Sequence, residues 1–133
     1  MWLEELKFET LKGLTFKDVR NVDNQELIFE VDNGERYKLF HDQMCCEGVS
    51  IEDICGDLKD LIGSPITLAE EAVSNKDPED FKKDDEWRDS YTWTFYKLST
   101  VKGSVTIRWY GESNGYYSES VQLSKILAKT TVR

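Results

Sequence analysis

The run "YTWTFYKLSTVKGSVTIRWYGES", residues 91–113, constrains the fold more than any other stretch of the chain. β-branched and aromatic residues dominate both halves, and Lys102-Gly103 marks a turn between them, the pattern of a long antiparallel hairpin. If Lys102-Gly103 is a two-residue turn, Leu98 faces Ile107, Tyr96 faces Trp109, Phe95 faces Tyr110 and Lys97 faces Arg108. One face is then core, and the other carries Trp93, Phe95, Tyr110 and Arg108. A three-residue turn with a bulge would instead put Trp109 beside Lys97 and Val105 opposite Val101. The sequence leaves both registers open.

Upstream, "LTFKDVRNV" and "QELIFEVDNGERYKLFHDQ" read as three further strands, the last two joined at Asn33-Gly34. Leu27, Phe29 and Val31 alternate with Ile28 and Glu30, as in a sheet with one buried face. In "VSIEDICGDLKDLIGSP" the spacing of Ile51, Ile54, Leu58, Leu61 and Ile62 predicts one or two short helices around residues 51–62. Gly56 interrupts them, Asp57 caps the second, and Gly63-Ser64-Pro65 ends it. Residues 66–73 mix strand and helix formers and lean to strand. Residues 75–90, "NKDPEDFKKDDEWRDS", read as an exposed charged loop whose only large apolar residues are Phe81 and Trp87. The closing "YYSESVQLSKIL" reads as an edge strand fraying into a polar tail. The expectation is one α+β domain, residues 1–133, dominated by antiparallel strands as a meander plus a long hairpin.

Charge narrows the function classes. With 26 acidic against 17 basic residues the formal charge is -9, which disfavours direct binding to nucleic acid or to an anionic membrane. No window approaches the apolar length of a membrane span, and the first residues, "MWLEELKFETLKG", lack the pattern of a secretory signal, so a cytoplasmic protein is expected. Cys45, Cys46 and Cys55 form an odd set and are expected to be reduced thiols.

Residues 108–120, "RWYGESNGYYSES", are too polar for a core and too aromatic for an ordinary loop. Gly111 and Gly115 flank a turn that brings Tyr116 and Tyr117 back towards Trp109 and Tyr110. Aromatic walls with Arg108 and Asn114 suit a planar, polar small molecule, since rings stack on its faces while the guanidinium and amide meet its charged or hydrogen-bonding edge. The candidate ligand-binding residues are therefore Arg108, Trp109, Tyr110, Asn114, Tyr116, Tyr117, Trp93 and Phe95. The plainer alternative is a half-buried sheet surface ending in a Ser-Asn-Gly turn. His41, Cys45 and Cys46 are weak metal candidates because adjacent cysteines do not match the paired spacing zinc prefers. A cysteine nucleophile with His41 as base lacks any recognisable oxyanion hole. No cofactor is expected.

The segments "HDQMCCEGVSIEDICGDLKDLIGSPITLAEE" and "DSYTWTFYKLSTVKGSVTIRWYGESNGYYSESV" resemble an uncharacterised family of small proteins encoded by bacteriophages and prophages, over roughly residues 14–122. That family usually has an acidic residue where this chain has Met44, which argues against a metal site needing that position. The resemblance assigns no chemistry. It implies an accessory protein in the cytoplasm of an infected or lysogenic bacterium, a setting in which such proteins often counter host defence.

Three readings follow, in order of preference. The first is a non-catalytic sponge that sequesters a nucleotide-like immune signal. The second is an acidic inhibitor of a host defence protein, and the third a signal-degrading enzyme using His41 or a carboxylate as base. Homo-oligomerisation fits the first, because signal-binding pockets often lie between subunits.

Overall fold

The computed structural model describes residues 4–81 and 88–127. Among them, nine strands form two antiparallel sheets. The first runs β1 (Glu5–Leu6), β9 (Gln122–Ile126), β4 (Arg36–Phe40), β3 (Glu26–Val31), β2 (Phe16–Val22) across its width. The second runs β5 (Gly48–Cys55), β8 (Gly103–Ser113), β7 (Ser90–Thr100), β6 (Leu68–Ser74). No helix among the described residues is long and apolar enough to cross a membrane.

The opening meander is β2–β3–β4, as the alternation predicts. Gly34 takes the positive φ of its second turn while the Asn33 side chain accepts from Glu35 N–H at 2.8 Å. The inward residues of that sheet, with Phe16, Phe29 and Leu39 fully enclosed, share one hydrophobic core with Tyr96, Leu98, Val105, Ile107 and Trp109 of the second sheet. Two 3-10 turns, Phe8–Leu11 and Leu58–Leu61, close the ends of this core with Phe8, Leu11 and Leu61. The Phe8 ring lies 4.5 Å from that of Tyr96.

The structure corrects three expectations. The first is the helix around residues 51–62. Its first part is strand β5, and its second is only the 3-10 turn Leu58–Leu61, capped as expected by Asp57, which accepts from Lys59 N–H at 2.9 Å. The misleading helical spacing comes from a register irregularity between Ile51 and Asp53. It lets Ile51 face Trp109 and Ile54 face Ile107, so that residues three apart share one side of a strand. The same irregularity turns Ile51 N–H to the Asn24 carbonyl at 2.7 Å, joining β5 to the β2–β3 turn.

The second is the hairpin register, which is neither of the two expected. The turn is Val101-Lys102 and Thr100 pairs with Gly103, so Phe95 faces Arg108, Tyr96 faces Ile107 and Trp93 faces Tyr110. The third is the final strand. β9 is not an edge but lies between β1 and β4 in the first sheet. The polar tail expected after it lies outside the described residues. Residues 66–73 are strand for the most part, in β6.

Gly56 ends β5 with φ +110°, and a Cβ there would sit 2.6 Å from the Ser104 carbonyl oxygen. Backbone contact and left-handed φ act together, so Gly56→Ala should cost about 2–3 kcal/mol of unfolding free energy in urea titration. A loss under about 0.5 kcal/mol would show that the two strands are not this close.

Candidate functional site

The register of the hairpin sorts its aromatic residues between two faces. Tyr96 and Trp109 point into the core, and Trp109 is fully buried, its indole Nε1 without a hydrogen-bond partner among the described residues. Trp93, Phe95, Arg108 and Tyr110 lie on the outer face. Trp93 is nevertheless fully buried there, because residues of the 75–90 segment fold over it.

Three described residues of that segment do the covering. Phe81 meets Trp93 edge-on at 4.7 Å and lies 5.3 Å from the Tyr110 ring. Arg88 sits 3.8 Å over Tyr91 and donates from Nη1 to the Tyr110 hydroxyl at 2.8 Å. Asp77 joins them. Its Oδ1 accepts from the Trp93 indole at 2.9 Å and from Arg88 Nη1 at 3.0 Å, and its Oδ2 accepts from Arg88 Nη2 at 2.5 Å. The fork-on-carboxylate pair holds the guanidinium pKa above its ordinary value, mainly through Asp77 and then Tyr110. Residues 75–80 are mostly exposed, Asp77 included, as the sequence suggests, but the Asp77 carboxylate reaches the indole and the guanidinium and Phe81 is half-buried as a cover. Residues 82–87 lie outside the described residues.

Arg108 has a different environment from the one its sequence position suggests. It donates through Nε to Glu52 at 2.6 Å and through Nη1 to Asp80 at 3.0 Å, and lies 5.2 Å from the Trp93 ring centroid. The Glu52 bond chiefly raises its pKa. Phe95 stacks on Trp93 at 6.4 Å.

Beside the covered face lies an open groove of about 540 Å³ bordered by Ser50, Arg88, Tyr110, Glu112, Asn114 and Tyr117. Of the candidate residues, Tyr110, Asn114 and Tyr117 thus come together. Tyr116 is 87% exposed and does not border the groove; Trp109 belongs to the core, and Arg108 to the ion-paired outer face. Burial pushes the Tyr110 hydroxyl pKa up, opposed by Arg88 and reinforced by Glu112, to which it donates at 2.6 Å. Asp77, Phe81 and Arg88 were missed by sequence reasoning. The available signal was Phe81 and Arg88 within a highly charged segment that precedes an aromatic hairpin.

One end of the groove is a knot around Glu47, whose side chain is fully buried. Glu47 accepts from His41 Nε2 at 2.7 Å, Met44 N–H at 2.8 Å and Cys45 N–H at 2.9 Å, and His41 Nδ1 donates to the Ser120 carbonyl at 2.7 Å. With acceptors at both ring nitrogens, His41 turns no lone pair to open space for a metal or a substrate proton. Among the described residues no cluster of three or more His, Cys, Asp or Glu side chains is arranged to hold a metal.

The expectation of three reduced thiols also needs correction. The turn places Cys45 and Cys46 side by side and their sulfurs are bonded, leaving Cys55 free and exposed. A hydrogen bond to Asp53 raises the Cys55 pKa and keeps it a poor nucleophile.

Burial pushes the Glu47 carboxyl up, but the Met44, His41 and Cys45 donors outweigh it and hold the pKa at about 2 instead of the ordinary 4.5. A carboxyl depressed in the folded state stabilises fully above about 4.5 and loses that contribution as pH falls towards 2. Urea unfolding at stepped pH should therefore show wild-type stability falling across this window, whereas Glu47→Gln should be less stable at neutral pH and show a shallower fall. Equal slopes for the two proteins would mean that Glu47 is not held in this way.

The groove and the covered aromatic face have no assigned counterpart to borrow from. No curated protein and no solved structure is significantly similar to this chain. A family model does match, over residues 5–123, so the chain belongs to the family described as a domain of unknown function, DUF7448.

Proposed function

We propose that the chain is a non-catalytic binding protein that takes a nucleotide-like small molecule on the outer face of β7–β8. One observation carries this reading: the 75–90 segment already sets a ring and an anion on that face, Phe81 against Trp93 and Tyr110, and Asp77 against Arg88. A ligand presenting a planar ring and a phosphate in the same arrangement meets the same partners. Stacking is worth about 1–3 kcal/mol per base, and a guanidinium fork accepts phosphate as readily as carboxylate. The adjoining groove offers Asn114, Ser50 and Glu112 to the ligand's polar edge. His41, the candidate base, is engaged at both ring nitrogens, which favours holding a ligand over transforming it. In the bacteriophage setting implied by the resemblance, such a protein sequesters an immune signal in the host cytoplasm and so counters defence.

The reading moves the ligand's anion from Arg108, fixed within the sheet by Glu52, to Arg88. Calorimetric titration with cyclic dinucleotides and ADP-ribose should find a ligand whose affinity falls at least tenfold in Arg88→Ala. Asp77→Asn, which weakens the internal competitor for Arg88, should tighten it several-fold, and mass spectrometry should recover the ligand unchanged. Undiminished binding by Arg88→Ala, or turnover of the ligand, would contradict the proposal.

A further inference from the structure

Open sheets expose edge strands whose free N–H and C=O groups invite another strand, and proteins usually blunt them. Among the described residues the two sheets end on β1, β2, β5 and β6. Three of these are blunted. β1 has two residues. β2 is irregular between Phe16 and Asp18 and displays Lys17 and Arg20. β5 is irregular between Ile51 and Asp53 and gives Ile51 N–H to Asn24.

β6 is neither short nor irregular, and its only blunting device among the described residues is the negative charge of Glu70 and Glu71. Its seven residues pair with β7 in unbroken register from Leu68↔Ser99 to Ser74↔Trp93, and "LAEEAVS" contains no proline, lysine or arginine. The start of the strand is shielded, since Ile66 just before it exchanges backbone hydrogen bonds with Gly13 and Leu14. Glu70 to Val73 are all exposed, Val73 at 62%. Beside this half lies a hollow of about 200 Å³, enough for one side chain, bordered by Glu71, Val73, Thr92, Thr94, Glu119 and Val121.

We propose that the Glu70–Ser74 edge receives an extended, basic segment of a partner protein as an added strand. Main-chain hydrogen bonds would supply affinity, and alternate side chains specificity. On one side of the added strand a small apolar residue fits the hollow beside Val73. On the other side lysine or arginine side chains find Glu70, whose neighbour Glu71 faces the hollow and accepts from the Tyr96 hydroxyl at 2.7 Å, at the edge of a chain with net charge -9. A second copy is the wrong occupant. Two-fold antiparallel pairing of β6 with itself around Glu71 sets Glu71 of one copy directly against Glu71 of the other, with each Glu70 opposite an Ala72, and like charges facing across strands are unfavourable. The proposal is independent of the ligand reading, because none of these edge residues borders the groove.

The test uses the full chain and a synthetic peptide of alternating lysine and valine, with a glutamate–valine peptide as control, followed by hydrogen exchange and calorimetry. The basic peptide should slow exchange of the amides of residues 70–74 at least tenfold, and the acidic one should not. Glu70→Lys should weaken binding at least tenfold, whereas Asp32→Lys, an equal charge change on the other sheet, should leave it within twofold. Of Ala72→Pro and Val73→Pro, the variant that keeps the wild-type melting temperature removes an outward N–H and should abolish the protection. Binding without protection at 70–74, or equal weakening by Asp32→Lys, would reduce the effect to general charge attraction and overturn the proposal. So would self-association of the free chain that protects the same amides.

Discussion

The pairing of Thr100 with Gly103 decides what every side chain of the long hairpin does. Strand side chains alternate, so a slip of one residue on either strand would exchange its inner and outer sets. The register is pinned from outside the hairpin. Thr100 Oγ1 donates to the Asp60 carbonyl at 2.5 Å and accepts from Lys102 N–H at 3.1 Å, while Lys102 Nζ donates to the Ile62 carbonyl at 2.6 Å. The residues after β5 thus act as a stop for the turn. In this register Tyr96, Leu98, Ile107 and Trp109 complete the core, and Trp93, Phe95, Arg108 and Tyr110 form a second, outer aromatic layer.

An outer layer with a fully buried tryptophan needs a cover and a partner for the indole N–H. Asp77 meets both needs with one carboxylate, holding Trp93 and Arg88 together while Phe81 closes over the ring. A carboxylate that serves an indole and a guanidinium is costly to remove without replacement, since the buried indole then loses its acceptor and the guanidinium its forked carboxylate. On the proposed reading a ligand's anion takes its place. In that reading the interaction that keeps the face closed also defines the chemistry of the ligand that opens it.

Much of this was legible in the sequence. The alternation around Phe29 gave the meander, and the aromatic, β-branched run gave the hairpin and the composition of its outer face. The helical reading of residues 51–55 failed because a bulge makes a strand imitate a three-residue period, which periodicity alone cannot distinguish from a helix. Trp109 looked like part of the site because it lies in the aromatic run 108–120, although the alternation of the Lys102-Gly103 hairpin already set it opposite the face of Trp93 and Tyr110; the structure keeps it in the core. Arg108 looked available because its partners, Glu52 and Asp80, are distant in sequence. Asp77 and Phe81 carried no local signal beyond their place in a charged loop, since their role depends on a face formed by other strands.

The most direct measurement is the side-chain resonance of the Trp93 indole N–H in a two-dimensional nitrogen–proton spectrum, recorded for the wild type and for Asp77→Ala. A carboxylate-held, covered indole should exchange slowly with solvent in the wild type. In Asp77→Ala its resonance should shift and its exchange accelerate at least tenfold, while that of the core Trp109 stays in place. A Trp93 indole that exchanges rapidly in the wild type, or that ignores the loss of Asp77, would contradict the account.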